Sequence, residues 1–425
     1  MNCRRAGSLI FFQIMLFFIL SLFPIQDVGS AIKVNRRDFT SSNVCKKCHT
    51  DIYKNWKASM HSASISDPIF EVSFMEAIKD KGNEARKFCL QCHSPTTRVT
   101  EDYELKADIS SEGITCSFCH SIDSIDMNQN IPVIINKPGD TMRGPFANIT
   151  SPAHKIKESK VHRTAKICGA CHEMKGKNGV TILGTYSEWS ESSYSKEGIK
   201  CQNCHMPEMF GIYDVNQDVK KTNNFARDHS VFGGHSQIKL NKAATLSSKV
   251  EDLGDKIVVN TTVLNRESGH KIPTGIPTRK IILEVNLLNE KDDVIASQSR
   301  IYQKVLADET GKILDNIKDI FFYATRVVSD NRIAPKEARK ETFEFKKPKG
   351  LKKYKIENVL KYQMQTPVIS LKTMEVEMAR NLHNSAEIKT SSEDVPIIVI
   401  FIIAFTAGIL ITYLILRASK KSGSS

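Results

Sequence analysis

The sequence predicts a chain of three parts: a mainly α, loop-rich N-terminal domain, a small β-sandwich module, and one C-terminal transmembrane helix. Three observations predict it. The string Cys-x-x-Cys-His occurs five times, all between residues 45 and 205. From about residue 245, β-branched and aromatic runs with partial alternation replace the loop-rich pattern. Residues 395–416 are apolar and carry no charge.

The N-terminus reads as a signal peptide over 1–31. Arg4 and Arg5 precede a mostly apolar stretch from Leu9 to Ile25, and "QDVGSA" ends at Ala31. An uncleaved N-terminal anchor is the alternative. Either way the following residues are expected outside the cytoplasm.

The chain has 11 cysteines, and only Cys3 stands outside the repeated string. The five copies are "CKKCH" at 45–49, "CLQCH" at 89–93, "CSFCH" at 116–120, "CGACH" at 168–172 and "CQNCH" at 201–205. Two thiols three positions apart lie about one helical turn apart, so both reach the two vinyl groups of one porphyrin. The histidine that follows presents its imidazole to the iron as proximal ligand. A single Cys-x-x-Cys also suits a thioredoxin-like redox pair, half a zinc site or a disulfide. Five copies, each with its histidine and with no cysteine left over in the region, argue against all three. Residues 32–240 therefore read as a multihaem cytochrome c domain with five covalently bound haem c groups. The thioethers fall on Cys45 and Cys48, Cys89 and Cys92, Cys116 and Cys119, Cys168 and Cys171, and Cys201 and Cys204. The proximal ligands are His49, His93, His120, His172 and His205.

About 160 residues hold these five sites, too few to wrap each porphyrin in an ordinary side-chain core. The haems must supply much of the buried apolar material themselves and so lie close together. The net charge of +13 suits nucleic acid or an anionic surface on its face. Five haems bring about ten propionate charges, which bring the holoprotein near neutrality, and nucleic acid is not expected as a partner.

The repeat is larger than the string. "EGITCSFCH" at 112–120 and "EGIKCQNCH" at 197–205 match, and each follows another Cys-x-x-Cys-His by 27 or 33 residues, cysteine to cysteine. "YKNWKASMH" at 53–61 and "YSEWSESSY" at 186–194 share Tyr-x-x-Trp-x-x-Ser and contain both tryptophans. Each Trp is either a haem neighbour or a plain core residue. Gly113 and Gly198 are expected to end the preceding element and let the backbone run close to the haem plane.

Seven histidines lie outside the strings. His61, His154, His162 and His229 are the expected second axial ligands, with His235 next. His270 either reaches back to a haem or braces its loop. His383, near the chain end, is not expected to bind iron.

The β module covers 245–383, with runs such as "DKIVVNTTVLN", "RKIILEVNLLN" and "ETFEFKK" separated by polar turns. "LKTMEVEMARNLH" at 371–383 reads as a short helix. A polar linker, 384–394, leads to the transmembrane helix at 395–416. Arg417, Lys420 and Lys421 follow, which places a 417–425 tail in the cytoplasm. The expected location is the cell membrane, single-pass, with the haem domain on the periplasmic side.

The strings "SPAH…VHRTAKICGACH", "GTYSEWSESSYSKEGIKCQNCHMPE" and "RDHSVFGGH" resemble the multihaem cytochromes c typified by the tetrahaem electron acceptor of hydroxylamine oxidoreductase. The resemblance spans 43 to about 240. "NRESGHKIPTGIPTR" at 265–279 is similar to a β module that follows haem domains in related cytochromes. The resemblance implies a mostly helical fold around haem pairs in parallel stacks, bis-histidine ligation at most sites, and electron transfer between periplasmic enzymes and membrane carriers. It also implies ligand roles for His61, His154, His162 and His229. Five strings and an apolar C-terminal segment depart from the tetrahaem type. No Cys-x-x-Cys-Lys string occurs, unlike the pentahaem nitrite reductases.

Two functions follow. The first is an anchored electron carrier whose partners are redox proteins, with the quinone pool open as a further one. The second is an oxidoreductase with one five-coordinate haem acting on a small nitrogen or sulfur compound. Tyr194, at the repeat position of His61, is expected to line such an open site.

Overall fold

A computed structural model describes residues 39–209, 226–364 and 374–390. The expected signal peptide, transmembrane segment and tail lie outside the described residues.

The N-terminal half is made of short helices joined by loops. The longest, Pro68–Lys81, has 14 residues. Asp67 caps it by accepting the Phe70 N–H, Pro68 stands in its first turn, and Gly82 ends it at φ +54°. Each Cys-x-x-Cys-His string sits on or beside a helical turn. Asn83–His93 and Lys166–His172 end on their strings. Cys116–Cys119 and Cys201–His205 are little more than the string itself. Three two-stranded ribbons lie among the helices: Ile122–Asp126 with Val133–Asn136, Thr141–Gly144 with Lys155–Glu158, and Glu173–Lys175 with Thr181–Gly184.

Strand structure dominates from Ala244 onward. One four-stranded sheet runs in the order Val294–Tyr302, Arg279–Leu288, Lys355–Met364, Met374–Asn384. The other runs Ala338–Lys346, Lys256–Asn265, Ala244–Asp252, Lys389–Thr390. Alternate residues of both point inward: Ile257, Val259 and Val263 from one sheet meet Ile281, Leu283 and Val285 from the other in a single core. A smaller three-stranded sheet, Ile313–Leu314, Lys304–Ala307 and Arg326–Asp330, faces the N-terminal half. There Leu306, Leu314 and Ile320 share a second core with Met174, Val180 and Ile182. A buried ion pair, Arg332 Nη1 to Glu188 Oε1 at 2.7 Å, closes the same seam.

The expected fold class, a mainly α N-terminal domain before a small β module and a transmembrane helix, is corrected. About 29% of the chain is helical and about 33% strand. Ribbons of three to five residues are too short to show a period in the sequence, and the strands after Ala244 are long. Residues 371–383 are corrected too. Met374–Asn384 is a strand paired with Lys355–Met364, where cross-strand pairing overrides the helix preference of Met, Glu and Ala.

The single-pass membrane location is also corrected. Among the described residues no helix is long and apolar enough to cross a membrane. The longest, at 14 residues, spans about 21 Å of the ~30 Å needed. Residues 395–416, on which the expectation fell, lie outside the described residues.

Candidate functional site

The helical turn does the first part of the work. At 45–49 the Cys48 and His49 N–H groups both donate to the Cys45 carbonyl, at 3.1 and 2.9 Å. At 116–120 the His120 N–H donates to the Cys116 carbonyl at 2.9 Å. This turn puts two thiols and one imidazole on one side. Among the described residues none of the ten string cysteines forms a disulfide.

The imidazoles come in facing pairs. His49 and His154 have ring centroids 6.3 Å apart, His61 and His172 6.5 Å, and His205 and His270 6.4 Å. An iron bound to one nitrogen of each ring at about 2.0 Å, with a ring radius of about 1.1 Å, separates centroids by about 6.2 Å. All three pairs match that gap. Burial pushes His61 and His205 down to about 4 and also lowers His172 and His270. Burial thus favours the neutral imidazole, the form in which histidine binds a metal.

His120 has two neighbours. His229 lies at 6.4 Å and His162 at 5.6 Å. Hydrogen bonding separates them. A carbonyl only accepts, so the ring nitrogen against it carries the proton. Nδ1–H donates to a carbonyl in His93 (Ser64), His120 (Arg143), His154 (Lys155), His205 (Phe232), His229 (Arg227) and His270 (Lys271), at 2.6–3.2 Å. Each therefore leaves Nε2 as the lone-pair nitrogen. His162 is reversed: its Nε2 donates to the Cys119 carbonyl at 3.0 Å, and its Nδ1 is buried without a partner.

His93 differs again. The flat ring of Phe70 stacks on it at 3.8 Å and 13°, and among the described residues no second imidazole faces it at the 6.3–6.5 Å of the other pairs. His235, expected as a ligand, is not brought opposite any of the five string histidines in the described ring contacts. Burial lowers it, as does Arg279 nearby. His383 shares a hydrogen bond with Ser248 at 2.8 Å inside the sandwich. Tyr194 is tied to the β module. Its hydroxyl donates to the Arg266 carbonyl at 3.0 Å, and Lys336 lies over its ring.

His270 is the residue that sequence reasoning left undecided. Its loop packs on the second repeat: a Cβ built at Gly269 would lie 3.4 Å from Trp189 and 3.5 Å from Tyr194. The available signal was Tyr194 itself. It stands where the first repeat has His61, so the second repeat must take its imidazole from elsewhere.

Thiols of different strings also meet. Cys45 lies beside Cys116, Cys92 beside Cys171, and Cys168 beside Cys201. These contacts order the strings 45–49, 116–120, 168–172, 201–205, with Cys119 and Cys171 packed on one apolar cluster at the middle step. The 89–93 string branches off at 168–172. Two guanidinium nitrogens, Arg98 Nη1 and Arg279 Nη1, are buried without a partner. Arg98 lies within electrostatic reach of Cys92 and Cys171. Unsatisfied buried cations of this kind suit the carboxylates that a porphyrin carries. The donor set, the ring spacing and the orphaned cations all fit haem.

A protein-family model described as cytochrome c554 and c-prime matches residues 44–121. The structure of a penta-heme cytochrome c552 from Thermochromatium tepidum superposes with a TM-score of 0.67 at 23% identity, covering 81% of this chain and 98% of that one. Residues 44–121 therefore match the cytochrome c554 and c-prime family, and the chain shares the fold of a penta-heme c-type cytochrome. Its five Cys-x-x-Cys-His strings have the form of covalent haem c attachment sites. A glycosyl hydrolase family 2 member from Bacteroides cellulosilyticus DSM 14838 aligns over 33% of this chain and 15% of its own, at 12% identity and TM-score 0.18. The putative ApaA protein from Bordetella pertussis aligns over 33% of this chain and 89% of its own, at 11% identity and TM-score 0.15. Neither likeness carries an argument. No curated protein matches the sequence.

Proposed function

We propose that the chain binds five haems and relays electrons between redox proteins, as a five-site relative of the tetrahaem acceptor type. The family match over 44–121 and the five strings support the kinship. Bound haem supplies a one-electron iron couple at each string. The chain's own residues hold the ligands in place. The single observation behind the reading is the set of facing imidazoles at 6.3–6.5 Å. His154, His61, His229 and His270 are the second ligands opposite His49, His172, His120 and His205. His162 is a positioning residue: it fixes the Cys119 carbonyl and crowds the His120 ring. The β module is part of the machinery, because it carries His270. Pyridine haemochrome assay together with the intact mass of the purified chain tests the count. Five haems per chain are expected, and four or fewer overturn the reading.

A second reading is favoured by the Phe70 stack on His93. The 89–93 string is a branch rather than a link, and no imidazole of the described residues faces it. Its haem is then open to a small ligand, reached by electrons from 168–172. Carbon monoxide added to the dithionite-reduced protein should bind at one site per chain. No binding removes this reading and leaves the first intact.

A further inference from the structure

The two Tyr-x-x-Trp-x-x-Ser repeats differ where the imidazoles are concerned. The first has Asn55 before its tryptophan and His61 at its end, whereas the second has Glu188 and Tyr194 at the matching positions. His61 faces His172. The second repeat, 186–194, has no histidine of its own, and the imidazole opposite His205 is His270, from the β module. The repeat that lacks a histidine is the one that carries the glutamate.

Glu188 sits on the helix Thr185–Ser190 and divides its two oxygens. Its Oε1 accepts from Arg332 Nη1 at 2.7 Å. Its Oε2 accepts the Lys271 backbone N–H at 3.2 Å and the Thr274 hydroxyl at 2.8 Å. Arg332 already holds a second carboxylate, because its Nε and Nη2 donate to Asp330 at 2.8 and 2.9 Å. The ion pair accounts for Oε1 and not for Oε2. The Glu188 side chain is 8% exposed, so water competes little for either bond.

Lys271 joins this carboxylate to the imidazole. Its N–H goes to Glu188, and its carbonyl accepts the His270 Nδ1–H at 2.9 Å. The second bond sets which way the ring faces and leaves Nε2 as the lone-pair nitrogen. On its other side the loop is fixed to the β module. Asn265 Nδ2 donates to the His270 carbonyl at 3.0 Å, and Ile272 and Ile333 exchange backbone bonds at 2.9 and 3.0 Å. Glu188 ties the loop to the haem half, helped by Thr185, whose hydroxyl meets that of Thr274 at 2.9 Å.

We propose that Glu188 is the positioning residue for His270: it holds the Lys271 backbone that orients the imidazole, and so keeps a ligand borne by the β module opposite His205. The proposal rests on the reading of His270 as that ligand and adds what keeps it in place.

The test is electron paramagnetic resonance of the oxidised, haem-loaded variants, with haem counted and Tm measured on the same samples. Glu188→Ala should keep the wild-type haem count, lose one low-spin signal and gain one high-spin signal. Added imidazole should restore the low-spin signal by filling the vacated position. His270→Ala should give the same spectrum. Thr274→Val removes the loop's hydroxyl, leaves the ion pair in place, and should lose part of the same signal. It decides the matter if Glu188→Ala does not accumulate. Ile182→Ala weakens the seam through its apolar core, which contains no residue of 265–279, so it should melt lower and keep every low-spin signal. Wild-type spectra for Glu188→Ala and Thr274→Val, beside a lost signal in His270→Ala, overturn the role of Glu188 and leave the ligation standing. A wild-type spectrum for His270→Ala overturns the ligation itself. The same lost signal in Ile182→Ala overturns positioning in favour of a general loosening of the seam.

Discussion

The Trp56 indole N–H donates to the Ile114 carbonyl at 2.8 Å, and the Trp189 indole N–H donates to the Ile199 carbonyl at 2.8 Å. Both isoleucines belong to the Glu-Gly-Ile-x-Cys segments. The Ser59 hydroxyl returns to the Trp56 carbonyl, as Ser192 does to Trp189, at 2.6 and 2.7 Å. The tyrosine rings lean alike, Tyr53 tilted against Trp56 at 5.5 Å and Tyr186 against Trp189 at 5.6 Å. The sequence repeat is thus a structural one. Each tryptophan clamps the backbone just ahead of a cysteine pair. Trp56→Phe and Trp189→Phe each leave that carbonyl without its donor, at a cost of about 1–2 kcal/mol. Thermal melts of the two haem-loaded variants should fall by similar amounts. A variant that melts like wild type would show that its clamp is idle.

The two histidines beside His120 are separable by mutation. His229→Ala should remove one low-spin haem signal from the oxidised protein. His162→Ala should keep that signal and change only its g-values, because the His162 Nε2 is held by the Cys119 carbonyl. The reverse outcome would make His162 the ligand.

How much of this was legible in the sequence differs by residue. The cysteine strings are covalent chemistry written as spacing, so they need no tertiary knowledge. The pairing of histidines does. Nothing near His154 in the chain says that it faces His49, 105 residues away, because loops bring them together. Gly113 shows the same limit. Its φ of +73° agrees with a glycine-only turn, but the close approach is to the His61 carbonyl and Ser64 hydroxyl, both 2.6 Å from a built Cβ. Gly198, at φ +77°, meets nothing. The sandwich strands show in their alternation, whereas the short ribbons around the strings do not.

Arg332 carries the seam between the two halves. It bonds Glu188 at 2.7 Å and Asp330 at 2.8 Å, and its own side chain is 6% exposed. Arg332→Met leaves the buried Glu188 without its cation and Asp330 with Lys271 alone, and should cost about 3–5 kcal/mol. Urea unfolding monitored by tryptophan fluorescence measures it. A loss below about 1 kcal/mol would mean the seam is held by the apolar contacts of Leu306 and Ile182 alone.

Lys304 gives the seam a pH dependence. Burial, then the nearby Arg332 charge, pushes its ammonium down to about 8, and its Nζ donates to the Thr181 carbonyl. Below pH 8 it is charged both folded and unfolded, and folding carries the full desolvation penalty. Between pH 8 and about 10.5 the unfolded chain binds more protons, so this residue's contribution to stability rises with pH, by about 3 kcal/mol at most. Urea melts at pH 7.5, 9 and 10.5 should show a steeper rise for wild type than for Lys304→Met. Parallel curves would contradict the shift.

The most direct measurement is electron paramagnetic resonance of the oxidised, purified protein, with haem counted in the same sample. The account predicts four low-spin haems per chain, from the four facing imidazole pairs, and one high-spin haem at Cys89, Cys92 and His93. Five low-spin haems would remove the open site at His93 and leave the relay standing, whereas fewer than four would contradict the facing pairs and the relay with them.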